Sequence, residues 1–166
     1  MKRIDCRDLV SKIAQIIDER VKAESVVQIG EVRAIRDAKR TREPARLWLI
    51  DDDESIRRAL IRIFADDNYQ IFSAANANEI DQVLSGGAPN LILLDIGLPW
   101  INGFELAELM KSHRDLAQVP IVFISGQNSM PIIKKGFQVG AHDFITKPFD
   151  IEAVKKTVKT LLALNS

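Results

Sequence analysis

From Leu47 onward, short apolar runs alternate with stretches of helical pattern: Leu47–Ile50 then 54–65, Gln70–Ser73 then 77–84, Leu91–Leu94 then 103–111, Ile121–Ile124 then 131–138, and Phe144–Thr146 then 151–163. Such runs are strand-sized, and each is followed by apolar residues at the three-and-four spacing of a one-sided helix. Five strand–helix units in succession imply an α/β fold, a (βα)5 doubly wound parallel five-stranded sheet with helices on both faces. The first, third and fourth runs are almost wholly apolar, as central strands buried on both sides must be. The second is mixed and the fifth is interrupted by polar residues, which suits edge strands.

Residues 1–45 follow a different rhythm. Leu9, Ile13, Ile16, Ile17 and Val21 recur at helical spacing, Lys22 to Ser25 interrupts them, and Val32 and Ile35 suggest a second helix. Thr41-Arg-Glu-Pro44 ends the segment, because the residue before a proline is driven out of helical geometry. The chain therefore divides into a helical extension and linker over 1–45, read as a helical hairpin, and a domain over 46–166. Residues 1–46 carry 12 Lys/Arg against 8 Asp/Glu and residues 47–166 carry 11 against 15, so a head of +4 precedes a body of −4. That mixture is too short and too mixed in sign to predict nucleic-acid binding, although a DNA-binding regulator acting through the basic head remains an alternative. No apolar run approaches the roughly 20 residues of a membrane span, and Met1 to Arg7 has no signal-peptide core. The single cysteine, Cys6, forms no internal disulfide and fits a cytoplasmic protein.

In an open parallel sheet, ligands bind beyond the carboxyl ends of the strands. The first run is followed by Asp51-Asp52-Asp53, the third by Asp95, the fourth by Ser125 and the fifth by Lys147-Pro148. A single acid there is commonly a helix cap, and Asp53 fits that role. Carboxylates from two strands facing a lysine from a third are harder to explain structurally, since they repel unless a cation joins them. Oxygen ligands of this kind suit Mg²⁺, which completes its shell with water and phosphate oxygens. A nucleophilic carboxylate, a metal, a lysine and a hydroxyl together describe a phosphoryl-transfer site.

The motifs Leu49-Ile-Asp51-Asp52, Leu91-Ile-Leu-Leu-Asp95-Ile-Gly-Leu-Pro99, Asn102-Gly103, Ile121-Val-Phe-Ile-Ser125-Gly126 and Phe144-Ile-Thr-Lys147-Pro148-Phe149 resemble the receiver domain of two-component response regulators. The resemblance implies a flavodoxin-like receiver fold that acts as a signalling switch rather than an enzyme. It implies that Asp95 accepts a phosphoryl group from a sensor histidine kinase or a histidine phosphotransfer protein. Asp51, Asp52 and Asp95 would hold Mg²⁺, with the backbone carbonyl of Gly97. Lys147 and Ser125 would hold the phosphoryl group, and Phe144 would turn inward as Ser125 moves. Gly97 has no side chain where the family usually has a larger one, which opens that side of the site to water. Asn102 replaces a common Asp at a turn that either residue serves.

Trp100 reads first as loop packing and second as a partner contact; with Met130 and Pro131 it outlines a candidate partner surface. Asp51-x-Asp53-x-Ser55 also has the form of the first motif of haloacid-dehalogenase-type phosphatases. That alternative lacks a later acidic pair and leaves Asp95 to Pro99 unexplained. His113 and His142 have no metal-ligand spacing and read as surface or loop residues. The fifth helical stretch reaches the end of the chain, so no C-terminal output domain is expected. The downstream target is a protein, and a homodimer through residues 5–40 is the leading use of the head, whose apolar stripe needs a cover.

Overall fold

The computed structural model describes residues 43–80, 83 and 87–165, with the separate helical positions Ser11 and Gln15. The helical extension expected over 1–45, and the dimer contact through 5–40, lie almost wholly outside the described residues. The elements are β1 (Ala45–Ile50), α1 (Glu54–Ile63), β2 (Tyr69–Ala74), β3 (Leu91–Leu94), α2 (Gly103–Ser112), β4 (Ile121–Ser125), α3 (Met130–Gln138), β5 (Asp143–Thr146) and α4 (Ile151–Leu164). Of the stretch 77–84, Ile80 and Val83 are helical and buried.

All strand pairs are parallel, in the order β2-β1-β3-β4-β5. The apolar runs β1, β3 and β4 are the three inner strands, and the mixed runs β2 and β5 are the edges, as their composition requires. Parallel pairing forces each connection to cross the sheet, and the helices divide between its faces. Successive residues of a strand point to opposite faces, so each inner strand feeds two cores. Trp48, Ile50, Ile92, Leu94 and Phe123 join Ile80, Val83 and α2 residues Leu106, Ala107 and Met110 on one face, with Ile132 of α3 packed against them. Leu47, Leu49, Leu93, Val122 and Ile124 join Leu60 of α1 and Val154 and Val158 of α4 on the other. Each fully buried aliphatic side chain contributes about 1.5–3 kcal/mol, so both faces are needed to hold a sheet of this size. Trp48 shows what that costs: its indole N–H is buried with no hydrogen-bond partner.

The helices begin where the strand ends turn over. Asp53 caps α1, its carboxylate accepting from the Ser55 and Ile56 amides at 2.8 and 3.3 Å. Asn102 caps α2 through the Phe104 amide at 2.9 Å, and Asp150 caps α4 through the Ala153 amide at 2.9 Å. Such caps satisfy amides that the first turn leaves without partners. Asp53 is thus the cap its spacing suggested, and its carboxyl lies below the ordinary aspartate range because the Ser55 amide stabilises the anion.

Behind Asn102 the chain passes against the strand end so closely that only glycine fits. A Cβ on Gly103 would collide with the Asp95 carbonyl oxygen and lie 2.6 Å from the Ile96 Cα, both backbone atoms that cannot swing away. Gly126, in contrast, has open space where a Cβ would go. Gly103→Ala is expected to cost about 1–3 kcal/mol, the penalty of overpacking. Gly126→Ala should stay within about 0.5 kcal/mol of wild type, as exposed substitutions do. Chemical denaturation of both variants checks the difference.

Candidate functional site

Asp51 and Asp95 occupy the first positions beyond β1 and β3, and the sheet itself fixes their backbones. The Asp51 amide donates to the Ala74 carbonyl of β2 at 3.1 Å, and the Asp95 amide to the Ile50 carbonyl of β1 at 2.8 Å. Ser125 ends β4, and the Lys147 amide donates to its carbonyl at 2.8 Å, so Lys147 begins where β5 stops. The Lys147–Pro148 peptide bond is cis. Four strand ends therefore deliver these groups to one rim.

The Lys147 ammonium bridges the two carboxylates, 2.7 Å from Asp51 Oδ2 and 3.2 Å from Asp95 Oδ1. The remaining oxygens are also engaged: Asp51 Oδ1 accepts from the Asp53 amide at 2.9 Å and Asp95 Oδ2 from the Gly97 amide at 3.0 Å. Asp51, Asp95 and Ser125 are the buried polar residues of the described chain, at 1 %, 7 % and 2 % exposure, while Asp52 is exposed. One ligand oxygen from each of Asp51, Asp52 and Asp95 lies within 4.8 Å of the others. With Lys147 counted, three carboxylates leave a residual charge of two, and every donor is a hard oxygen. That set fits a small divalent cation such as Mg²⁺.

The other expected site residues take distinct positions. The Ser125 hydroxyl oxygen accepts from the Gln127 amide at 3.1 Å, which leaves its proton free for another acceptor. Gly97 is exposed beside Asp95. Phe144 is half-buried, its ring 6.2 Å from that of Phe123, and lies against the bare Cα of Gly136. Trp100 is half-buried and donates its indole N–H to the Ala75 carbonyl at 3.2 Å, which favours the loop-packing reading. Met130 and Pro131 are exposed at the start of α3, Met130 at 75 %. His142 is exposed and His113 half-buried, with neither in the carboxylate cluster.

Arg57 escaped the sequence reading. Its guanidinium donates to the Asp51 carbonyl at 2.8 Å and so fixes the acidic turn from the first helix. The available signal was its place four residues after the cap Asp53, one helical turn up the face above the strand end. Gly103 was legible as a turn glycine, but its contact with the Asp95 backbone was not.

Burial pushes the Asp51 carboxyl above the ordinary aspartate range; the Lys147 hydrogen bond and the Asp53 amide oppose that rise, and the Asp95 charge adds to it. For Lys147, burial works against the ammonium, but the hydrogen bond and charge of Asp51, then of Asp95, outweigh it and raise its pKa. Lys147 therefore stays charged at neutral pH, and its own charge is lost only as pH rises above the usual lysine range. A raised carboxyl pKa has the opposite consequence, because the folded state then favours the proton and an ionised Asp51 costs stability. In metal-free protein, Asp51→Asn is expected to raise the melting temperature at pH 7. That gain should shrink on acidification, as wild-type Asp51 takes up its proton. Thermal unfolding in chelator between pH 7 and pH 4 tests the sign, and a variant less stable at pH 7 would contradict it.

Comparison with known proteins agrees with this geometry. A family model described as the response regulator receiver domain matches residues 47–159. The sporulation initiation phosphotransferase F of Bacillus subtilis is 29% identical over 121 residues, covering 73% of this chain and 96% of its own. The aerobic respiration control protein ArcA of Escherichia coli is 33% identical over 117 residues, covering 70% of this chain. The chain spans only about half the length of some relatives, 48% of ArcA and 53% of the response regulator Rre1 of Synechocystis. Among solved structures, the chemotaxis response regulator CheY4 of Vibrio cholerae superposes with a TM-score of 0.64 at 26% identity, covering 70% of this chain and 98% of that one. A CheY-like receiver domain protein from Methanospirillum hungatei gives 0.65 at 26%, covering 73% and 95%. The matched residues 47–159 hold nearly all of the parallel sheet together with the acids, hydroxyl and lysine at its strand ends, and the chain belongs to the response regulator receiver domain family of two-component signalling.

Proposed function

We propose that residues 46–166 act as a phosphorylation-dependent switch in a two-component or phosphorelay system, with Asp95 as phosphoacceptor. The observation that carries this reading is the Lys147 ammonium shared by Asp51 and Asp95 at 2.7 and 3.2 Å, beside the exposed carboxylate of Asp52. The donor is a phosphohistidine of a sensor kinase or histidine phosphotransfer protein, by analogy with the family and with a relative whose name marks it as a phosphotransferase.

An Asp95 carboxylate oxygen forms the new P–O bond as the P–N bond to the donor imidazole breaks; the ring nitrogen keeps the electron pair and takes a proton from solvent. Asp51, Asp52 and Asp95, with the Gly97 carbonyl, would hold Mg²⁺, which offsets the charge of the incoming phosphoryl oxygens. Lys147, already within 3.2 Å of Asp95, neutralises a further oxygen, and the free proton of Ser125 supplies a hydrogen bond. The product adds about two negative charges at neutral pH, enough to redirect the Ser125 hydroxyl and the loop behind it. Phe144, half-buried with its ring tilted against Phe123, is the group free to follow, and the changed surface runs from Met130 and Pro131 to β5.

A phosphatase with Asp51 as nucleophile is less well supported. Asp51 is the more deeply buried acid, and that reading leaves Asp95-Ile-Gly-Leu-Pro99 without a role. The head, residues 1–45, is proposed as a separate unit that dimerises the protein, with DNA binding as its alternative. No helix among the described residues is long and apolar enough to cross a membrane.

With a small acyl phosphate donor and Mg²⁺, wild type is expected to take up label on Asp95, and Asp95→Asn none above background. Lys147→Ala should slow labelling by about 10²–10³, the cost of losing one charge-stabilising donor, and chelator should abolish it. Label retained by Asp95→Asn, or mapped to Asp51, contradicts the assignment. Deletion of residues 1–45 is expected to convert a dimer into a monomer by sedimentation; an unchanged oligomeric state rejects the dimer role of the head.

A further inference from the structure

We infer that Trp100 is a positioning residue for the phosphoacceptor pocket, acting as a tie across the end of β1 rather than as loop packing alone. The inference rests on the metal-dependent phosphoacceptor reading given above. In the strand order β2-β1-β3, the metal-binding acids Asp51 and Asp52 at the end of β1 lie between the loops that follow β2 and β3. The Trp100 indole N–H comes from the loop after β3 and donates to Ala75, the first residue after β2. It thus joins loops on either side of the acids, across about 10 Å of sheet.

Both ends of the tie are built. At the far end, the Glu79 carboxylate accepts from the Ala75 amide and from the Asn76 side chain, each at 2.8 Å, and Asn76 in turn accepts from the Asn78 and Glu79 amides at 3.0 and 3.2 Å. The Ala75 peptide is therefore a fixed anchor. At the near end, Leu98 and Ile101 are buried on either side of Trp100, and the Gly103 amide closes the loop onto the Ile96 carbonyl at 3.0 Å. Apolar burial holds that loop down but is non-directional. The indole hydrogen bond is directional, and it reaches the β2 side at a defined carbonyl.

The need for it arises from Gly97. That residue must present its carbonyl and donate its amide to Asp95 Oδ2, yet it is exposed and has no side chain of its own to restrain it. Glycine has the most backbone freedom to lose on ordering. A tie three residues further on supplies the restraint that a larger residue at 97 would give.

The test compares full-length wild type with Trp100→Phe, which keeps the ring and removes the N–H. Mg²⁺ binding is followed by calorimetry and the Gly97 amide by hydrogen exchange in metal-free protein. Trp100→Phe is expected to weaken Mg²⁺ binding about three- to tenfold, the worth of one neutral hydrogen bond, and to speed exchange at Gly97, with a melting temperature close to wild type. Glu79→Ala, which frees the Ala75 anchor without touching Trp100, should weaken Mg²⁺ binding in the same direction. Wild-type Mg²⁺ affinity in folded Trp100→Phe leaves only packing for the indole and overturns the inference, as does wild-type affinity in folded Glu79→Ala. A wild-type protein that binds no Mg²⁺ and takes no label on Asp95 removes the functional reading itself, and the tie falls with it; those results are distinguishable because they appear in the unmutated chain.

Discussion

Two carboxylates at neighbouring strand ends repel each other, and the repulsion grows as the sheet buries them. The Lys147 ammonium, held between Asp51 and Asp95, relieves it by joining β5 to β1 and β3 at the rim. Much of the surrounding structure serves that contact. The sheet ladder fixes both acids through their own amides, and Arg57 holds the Asp51 carbonyl from above. Burial raises the Asp51 pKa even so, which marks the site as held against its own preference in the absence of a further cation. A protein that needed only stability would not keep such a group, since apolar residues in place of a buried ion pair are often as stable or more so.

The two cores explain how the sheet tolerates this strain. Side chains alternate between a face packed by α2 and α3 and one packed by α1 and α4, so β1, β3 and β4 are clamped from both sides. Both cores reach the rim: Ile50 and Leu94 of one sit one residue before Asp51 and Asp95, and Ile124 of the other sits one residue before Ser125. Even the unsatisfied indole N–H of Trp48 is accepted within this packing. The acids are thus carried on inner strands covered on both faces, while Phe144 stands half-buried on the edge strand β5 with its ring against Phe123.

Particular residues show how far the sequence could be read. Which strands lie inside the sheet and which at its edges followed from runs such as Leu91 to Leu94, because a fully apolar strand has to be covered on both faces. Asp53 and Asn102 were legible as caps and turns, since short polar side chains at helix starts satisfy local amides. Trp100 was not: two readings were open for an indole in a loop, and only the Ala75 carbonyl, 25 residues away along the chain, separates them. Arg57 was missed for a similar reason, its partner being a backbone carbonyl that no side-chain pattern announces.

The sequence by itself determined the alternation of strands and helices, the parallel sheet that follows from it, and which residues stand at the strand ends, because each depends on periodicity within a few neighbouring positions. Only the tertiary structure decided how those residues meet. The sharing of Lys147 between Asp51 and Asp95 spans 96 and 52 positions of sequence. The bare contact of Gly103 with the Asp95 backbone likewise exists only once the chain has turned back on itself. Distances of that kind are set by how two cores pack against one twisted sheet, and local pattern carries no record of them.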